Sequence, residues 1–227
     1  MSSMLTIALP KGKLGAEAIK VLQKAGLPTE GITEESRKLL IDYSEEGIKY
    51  VICRPTDIPT FVEYGAADIG IVGKDTIEEA GKNLFELLDL GFGKCTFVLA
   101  LPRTTLEATG YGEKNVEKIL SYFPHLRVAT KFPNVTSKYL QSLGLQAEII
   151  PLHGNIELAP LVGLAEAIVD IVSTGKTLKE NDLVAIDEIF VATARVVANR
   201  VSYRLKNQRI QGLIDKIRAV LAEGQND

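Results

Sequence analysis

Short apolar runs closed off by turn residues, alternating with segments whose apolar residues recur at helical spacing, constrain this chain more than any other feature. Residues 4–9, 48–53, 68–72, 95–101, 126–129, 147–150 and 167–172 are such runs, too short for ordinary helices and rich in β-branched side chains. Between them, Leu14, Ala18, Val21, Leu22 and Ala25 keep a helical period up to Gly26. Alternation of this kind gives an α/β fold with helices packed on sheets. The run Ala167-Ile168-Val169-Asp170-Ile171-Val172 is unbroken except for one acid, which suits a buried strand of a parallel sheet.

Taken in order, residues 39–43 and 48–53 flank Ser44-Glu45-Glu46-Gly47 and read as an antiparallel hairpin. Short helices are expected over 57–64, near 116–123 and near 135–143, and one amphipathic helix over 203–222, with Ile210, Leu213, Ile214, Ile217 and Leu221 inside. The basic residues of that last helix, Arg204, Lys206, Arg209, Lys216 and Arg218, read most simply as a solvated face. An echo, Asp-Ile-x-x-x-Gly-Lys, occurs at Asp68–Lys74 and again at Asp170–Lys176, and either marks equivalent strands in two similar halves or is chance. Leu90-Gly91-Phe92-Gly93-Lys94 is a candidate hinge, and the strand-like stretch from Leu183 to Ala198 reads as crossing back. The expected organisation is a first domain of residues 1–92 with 183–227 and a second of residues 93–182. A two-domain α/β fold with two crossovers follows, with a cleft between the domains as the default ligand site, and the alternation also fits the periplasmic-binding-protein type II architecture.

Charge and composition exclude several classes. A formal net charge of -3 argues against a nucleic-acid surface, which needs basic clusters. No apolar run approaches the roughly 20 residues needed to span a bilayer, and the N-terminus lacks a basic region followed by an apolar one, so a cytoplasmic protein is expected. Cys53 and Cys95 lie in or beside strand-like runs and read as buried thiols. With His125 and His153 as the only histidines, a histidine-rich metal cage is excluded.

The loop after 167–172 is Ser173-Thr174-Gly175-Lys176-Thr177. Turns at the carboxyl ends of strands in α/β sheets are where ligands bind, and their amides can converge on an anion. A nucleotide-binding P-loop needs a glycine five positions before Gly175, and position 170 is Asp. An acid at the strand end followed by a hydroxyl-rich loop suits a phosphorylated sugar instead: loop amides and hydroxyls for the phosphate, a carboxylate for vicinal hydroxyls. Two further anion candidates lie upstream. Pro10-Lys11-Gly12-Lys13 opens a helix, with a solvated basic turn as the plainer alternative, and Arg54 ends a strand just before Pro55-Thr56-Asp57, where it could instead pair with Asp57.

The stretch 157–178 resembles the ATP phosphoribosyltransferase family, whose pattern is matched in register by Glu157, Gly163, Ala165, Ile168, Asp170, Ile171, Thr174, Gly175, Thr177 and Leu178. Similarity extends to 8–14, 54–59, 65–70 and 129–134. The chain resembles the short form of the family, which lacks a C-terminal regulatory domain and pairs with a catalytically inactive relative of histidyl-tRNA synthetase.

The resemblance implies transfer of 5-phosphoribosyl from 5-phosphoribosyl diphosphate to N1 of the adenine of ATP, with release of pyrophosphate, as the first step of histidine biosynthesis. It implies Asp170 at the ribose hydroxyls and Ser173, Thr174, Gly175, Lys176 and Thr177 at the 5-phosphate. Glu157 would face the sugar or a metal, or else be a helix N-terminal acid. Lys11, Gly12 and Arg54, with Arg37 a weaker candidate, would contact ATP or pyrophosphate. Mg²⁺ is expected on the substrate phosphates rather than in a dedicated protein site, no general base is assigned, and a homodimer within a hetero-oligomer is implied. Two rivals fit the same alternation: a solute-binding module without turnover, and a scaffold that keeps the fold only to hold a partner.

Overall fold

The computed structural model describes residues 4–33, 38–113 and 115–224, which form two compact units, residues 1–93 with 193–227 and residues 94–192. The first opens with β1 (Leu5–Pro10), α1 (Lys13–Lys24), β2 (Leu40–Tyr43), β3 (Ile48–Cys53), α2 (Ile58–Glu63), β4 (Ile69–Gly73), α3 (Lys74–Ala80) and β5 (Phe85–Asp89). The second holds β6 (Cys95–Pro102), α4 (Arg103–Thr109), α5 (Val116–Ser121), β7 (Arg127–Thr130), α6 (Pro133–Ser142), β8 (Glu148–Pro151), α7 (Leu158–Leu161), β9 (Ala167–Val172), α8 (Lys176–Glu180) and β10 (Leu183–Ala192). The chain then returns to the first unit as β11 (Ala194–Ala198), α9 (Arg200–Leu205) and α10 (Asn207–Glu223). Among the described residues no helix is long and apolar enough to cross a membrane.

The first unit is a six-stranded mixed sheet in the order β2-β3-β1-β4-β11-β5. Its central strands β1 and β4 are buried on both faces and read as near-continuous apolar runs for that reason. One face carries the larger core, where Leu5, Ile7 and Leu9 meet Leu22 of α1 and Ile210, Ile214 and Ile217 of α10. The other packs Ile58 and Val62 of α2 against Ala8, Val72 and Val197. Both cysteines are buried, and burial, with Asp57 adding to it and Lys11 opposing, pushes the Cys53 thiol up to about 11.

The second unit is a five-stranded sheet in the order β10-β6-β9-β7-β8. Strand β9 runs parallel to β7 but antiparallel to β6, so the sheet is mixed rather than parallel as the apolar run suggested. Burial on both faces explains the run equally well. Side chains alternate across the sheet. Val128, Ala167 and Val169 face Ile119, Leu120 and Leu140 of α5 and α6, whereas Ala129 and Ile168 face Ile156 and Ala159, and Leu178 of α8.

Four expectations need correction. Residues 183–192 stay in the second unit: β10 pairs along its length with β6. Val184 and Ile186 enter its core, and Tyr139 donates a hydrogen bond of 2.5 Å to Asp187. The return to the first unit therefore begins at Thr193. The helix expected over 203–222 is two, broken at Lys206 (φ -114, ψ 24). Lys206 is not part of a solvated face, because its Nζ donates to Asp68 Oδ2 at 2.7 Å and to the Met4 carbonyl at 2.7 Å. Arg209 likewise donates to the carbonyls of Glu46 and Gly47. The echo is no equivalence: Asp68 precedes β4 and is buried against Lys206, whereas Asp170 is the fourth residue of β9.

Candidate active site

Strand β9 brings its apolar residues into the core as far as Val169, and Asp170 is the first of them to carry charge near the strand's carboxyl end. Its Oδ1 accepts the Ile171 amide at 2.8 Å, which fixes the carboxylate against its own backbone. Burial holds the Asp170 carboxyl above the usual range, the Ile171 amide opposes this, and the charge of Glu157 raises it further while that of Lys131 lowers it. Glu157 stands at the N-cap of α7, the helix whose Ala159 packs on the same sheet face. Glu157 and Asp170 thus lie within each other's electrostatic reach.

After Val172 the chain turns through Ser173, Thr174 and Gly175 into α8. Gly175 takes φ 74 and ψ 0, a left-handed conformation that a side chain disfavours, and this lets the loop enter the helix at once. The Thr174 hydroxyl accepts weakly from the Lys176 amide at 3.5 Å, and Ser173, Thr174, Lys176 and Thr177 are exposed. Lys176 lies along the helix toward Glu180 at 3.6 Å, an exposed pair of little energetic weight. The loop thus presents hydroxyls and helix-entry amides beside a half-buried carboxylate, an arrangement suited to a phosphate joined to a polyol.

In the first unit, Lys11 and Arg54 directly follow the paired strand ends Pro10 and Cys53. The Lys11 amide donates to the Cys53 carbonyl at 3.0 Å, tying the two loops together. Gly12 takes φ 79 and ψ -160, a conformation open essentially to glycine alone. A Cβ on Gly15 would meet the Pro10 carbonyl oxygen at 1.9 Å, so α1 starts flush against the strand end. A cavity of about 100 Å³ opens beside this loop, with Lys11, Gly12 and Lys38 in its wall. Among the described residues neither Lys11 nor Arg54 makes an ion pair, so the alternative pairing of Arg54 with Asp57 is not seen. Arg37 lies outside the described residues.

The sequence pattern of ATP phosphoribosyltransferase (HisG) matches residues 54–219. The chain belongs to the ATP phosphoribosyltransferase family. An ATP phosphoribosyltransferase of Moorella thermoacetica is 55% identical over 224 residues, 99% of this chain and 96% of that protein. Another, of Desulfitobacterium hafniense, is 52% identical over 97% of this chain and 98% of its own length. The solved ATP phosphoribosyl transferase (HisG:HisZ) complex from Thermotoga maritima superposes with a TM-score of 0.79 at 38% identity, covering 97% of this chain and 100% of the matched chain. The periplasmic aliphatic sulphonate binding protein SsuA from Escherichia coli superposes at 0.60 with 16% identity, over 100% of this chain and 75% of its own, a likeness of fold alone. The two-domain type II architecture expected from the alternation is thereby shown.

With the family pattern laid on the structure, its residues fall into two kinds. Ala165 and Ile168 are buried and pack the face beneath α7, and Gly163 takes φ 72 as the chain leaves that helix. Glu157, Asp170, Thr174 and Thr177 instead carry side-chain oxygens, at the N-cap of α7, in β9, in the loop after β9 and in the first turn of α8. Sequence reasoning missed Lys131. Its signal is the segment Ala129-Thr130-Lys131-Phe132-Pro133-Asn134, which sets a basic residue between a strand and a proline-opened helix. Among the described residues no group of three or more His, Cys, Asp or Glu stands close enough to hold a metal.

Proposed function

We propose that this chain transfers the 5-phosphoribosyl group of 5-phosphoribosyl diphosphate to N1 of the adenine of ATP, forming N1-(5-phosphoribosyl)-ATP and pyrophosphate in the first step of histidine biosynthesis. The observation that carries this is the 55% identity to an ATP phosphoribosyltransferase along nearly the whole of both chains. The half-buried carboxylate beside the hydroxyl loop supports the assignment of the phosphoribosyl half of the site.

In this reading the Asp170 carboxylate accepts hydrogen bonds from the ribose hydroxyls, and Glu157 faces the same sugar. The amides and hydroxyls of Ser173, Thr174, Gly175 and Thr177, with Lys176, hold the 5-phosphate. Lys11, Gly12 and Arg54 bind ATP or the departing pyrophosphate, and Arg37 is assigned the same task. The N1 lone pair forms a bond to the anomeric carbon as the bond from that carbon to the diphosphate oxygen breaks. Positive charge develops on the ribose ring and the electron pair leaves with pyrophosphate. Such a reaction is accelerated by holding two anions in line and by cationic groups where charge departs, with no nucleophilic side chain required.

The enzyme class fits a divalent metal requirement, and we assign Mg²⁺ as part of the diphosphate substrate, where it neutralises the leaving group. We infer that the chain works in the cytoplasm as a homodimer within a hetero-oligomer that includes a histidyl-tRNA-synthetase-like regulatory subunit. The likeness to the solved HisG:HisZ complex from Thermotoga maritima supports that arrangement.

The test is to incubate the purified chain with ATP, 5-phosphoribosyl diphosphate and Mg²⁺, with and without the regulatory subunit, and to follow absorbance of the N1-substituted adenine. Product is expected in at least one arm, and its absence from both overturns the reading. Asp170→Ala and Thr177→Ala are expected to weaken phosphoribosyl diphosphate binding with the fold intact. Normal binding by both would dismiss the site assignment.

A further inference from the structure

Strand register places one more charged group beside Asp170. Ala129 pairs with Ile168 and Thr130 with Val169, in parallel. Ala129 and Ile168 face the same core, together with Ile156 and Ala159. Asp170, two residues after Ile168 in β9, lies on that same face, and Lys131 is the first residue after β7, directly beyond the pairing of Thr130 with Val169, where its charge acts on Asp170. Glu157, on the helix that covers this face, completes a group of two acids and one base. The backbone on either side of Lys131 is fixed. Thr130 is fully buried, and its Oγ1 accepts the Phe132 amide at 2.9 Å and the Thr136 hydroxyl at 3.1 Å.

The charges around Asp170 can be named from each element packed against it. Strand β6 offers apolar Val98, its register partner. Helix α8 offers Lys176, which lies toward Glu180. That leaves Glu157, which opposes ionisation of Asp170, and Lys131, which favours it. Among the described residues the Lys131 ammonium has no hydrogen-bond or ion-pair partner of its own.

We propose that Lys131 is a positioning residue of the phosphoribosyl site: its ammonium offsets the paired negative charge of Glu157 and Asp170, so that Asp170 accepts the ribose hydroxyls as an anion. This rests on the proposed function. A carboxylate takes hydrogen bonds from both vicinal hydroxyls, whereas a protonated carboxyl spends one oxygen as a donor. Without the lysine, burial and Glu157 act on Asp170 unopposed except by the Ile171 amide, and protonation begins at higher pH. Lys131 therefore acts through Asp170, and its removal matters most in mild acid.

The test uses the full-length chain with Lys131→Met, Lys131→Arg, Asp170→Asn and the Lys131→Met/Asp170→Asn double variant. Binding of magnesium 5-phosphoribosyl diphosphate is measured by calorimetry from pH 5.5 to 8.5, each variant against its parent at the same pH. Lys131→Met is expected to bind about fivefold more weakly at pH 5.5 and to recover to within about twofold at pH 8.5. Lys131→Arg stays close to the parent throughout, and in the Asp170→Asn background the Lys131→Met effect disappears. Carboxyl NMR of the ligand-free protein is expected to show Asp170 titrating at higher pH in Lys131→Met. A loss by the same factor at every pH, or none, overturns the inference while leaving the site reading intact, provided Asp170→Asn binds weakly. An Asp170→Asn variant that binds normally overturns the site reading itself, and this inference with it.

Discussion

Asp170 is held in a state that costs the free protein stability. Its carboxyl titrates above the usual range because burial and Glu157 disfavour the anion. For an acid whose folded pKa exceeds the unfolded one, the native state binds more protons than the unfolded state across the interval between the two. Stability then falls as pH rises through that interval and stays lowered above it. Asp170→Asn keeps the oxygen that accepts the Ile171 amide and removes the charge. It is expected to raise stability by about 0.5–1 kcal/mol at pH 7, a gain that is lost as pH falls through the interval between the folded and unfolded values and is absent below about pH 4. Thermal melts of the two proteins at pH 7 and pH 3.5 check this, and an equal or lower midpoint for Asp170→Asn at pH 7 would contradict it. That a polar residue is retained there at a stability cost fits a ligand-facing role. The sequence pattern made Asp170 legible through its fixed spacing from Thr174 and Gly175. Lys131 was illegible as a neighbour, because 39 positions separate it from Asp170 and only the pairing of β7 with β9 brings the two strand ends together.

Helices α9 and α10 show how one distant contact sets element boundaries. Asn199 caps α9 by accepting the Val201 and Ser202 amides, each at 2.9 Å, while its own amide group donates to Val62 and Glu63 carbonyls. The helical period continues through Lys206, so sequence reads one helix. Lys206 instead leaves helical geometry as its ammonium reaches Asp68, whose other contact is the Thr6 amide at 2.8 Å. Removing one partner of a buried ion pair strands the other charge. Lys206→Met is therefore expected to cost about 3 kcal/mol, and Lys206→Met/Asp68→Asn to recover most of that loss. Urea titrations of the three variants against the parent measure it, and an additive double variant would argue that the pair is uncoupled. Strand β9, by contrast, was legible to the residue, because its β-branched run begins and ends where the sheet does.

At the scale of the molecule, the second unit is one continuous segment and the first is not. Residues 94–192 contain all five strands of their sheet and the cores on both its faces. Residues 1–93 lack β11, which lies between β4 and β5, and lack α10, which supplies Ile210, Ile214 and Ile217 to the larger core. The fragment 94–192 is expected to unfold cooperatively on heating by circular dichroism, and the fragment 1–93 to show no such transition. A non-cooperative 94–192 would mean that its cores do not suffice. The sequence by itself determined the α/β class, most strand positions, the buried thiols and the spaced oxygen and glycine positions of the phosphoribosyl stretch. Each of these depends on residues close together in the chain: two-residue alternation, helical periodicity, or a loop whose backbone needs glycine. Tertiary structure alone decided that β10 stays in the second sheet, that the helix breaks at Lys206, whose ammonium pairs with Asp68, and that Lys131 and Glu157 come within electrostatic reach of Asp170. Each of these sets together groups remote in sequence, where pairing register and the cost of an uncompensated buried charge, rather than local pattern, select the arrangement.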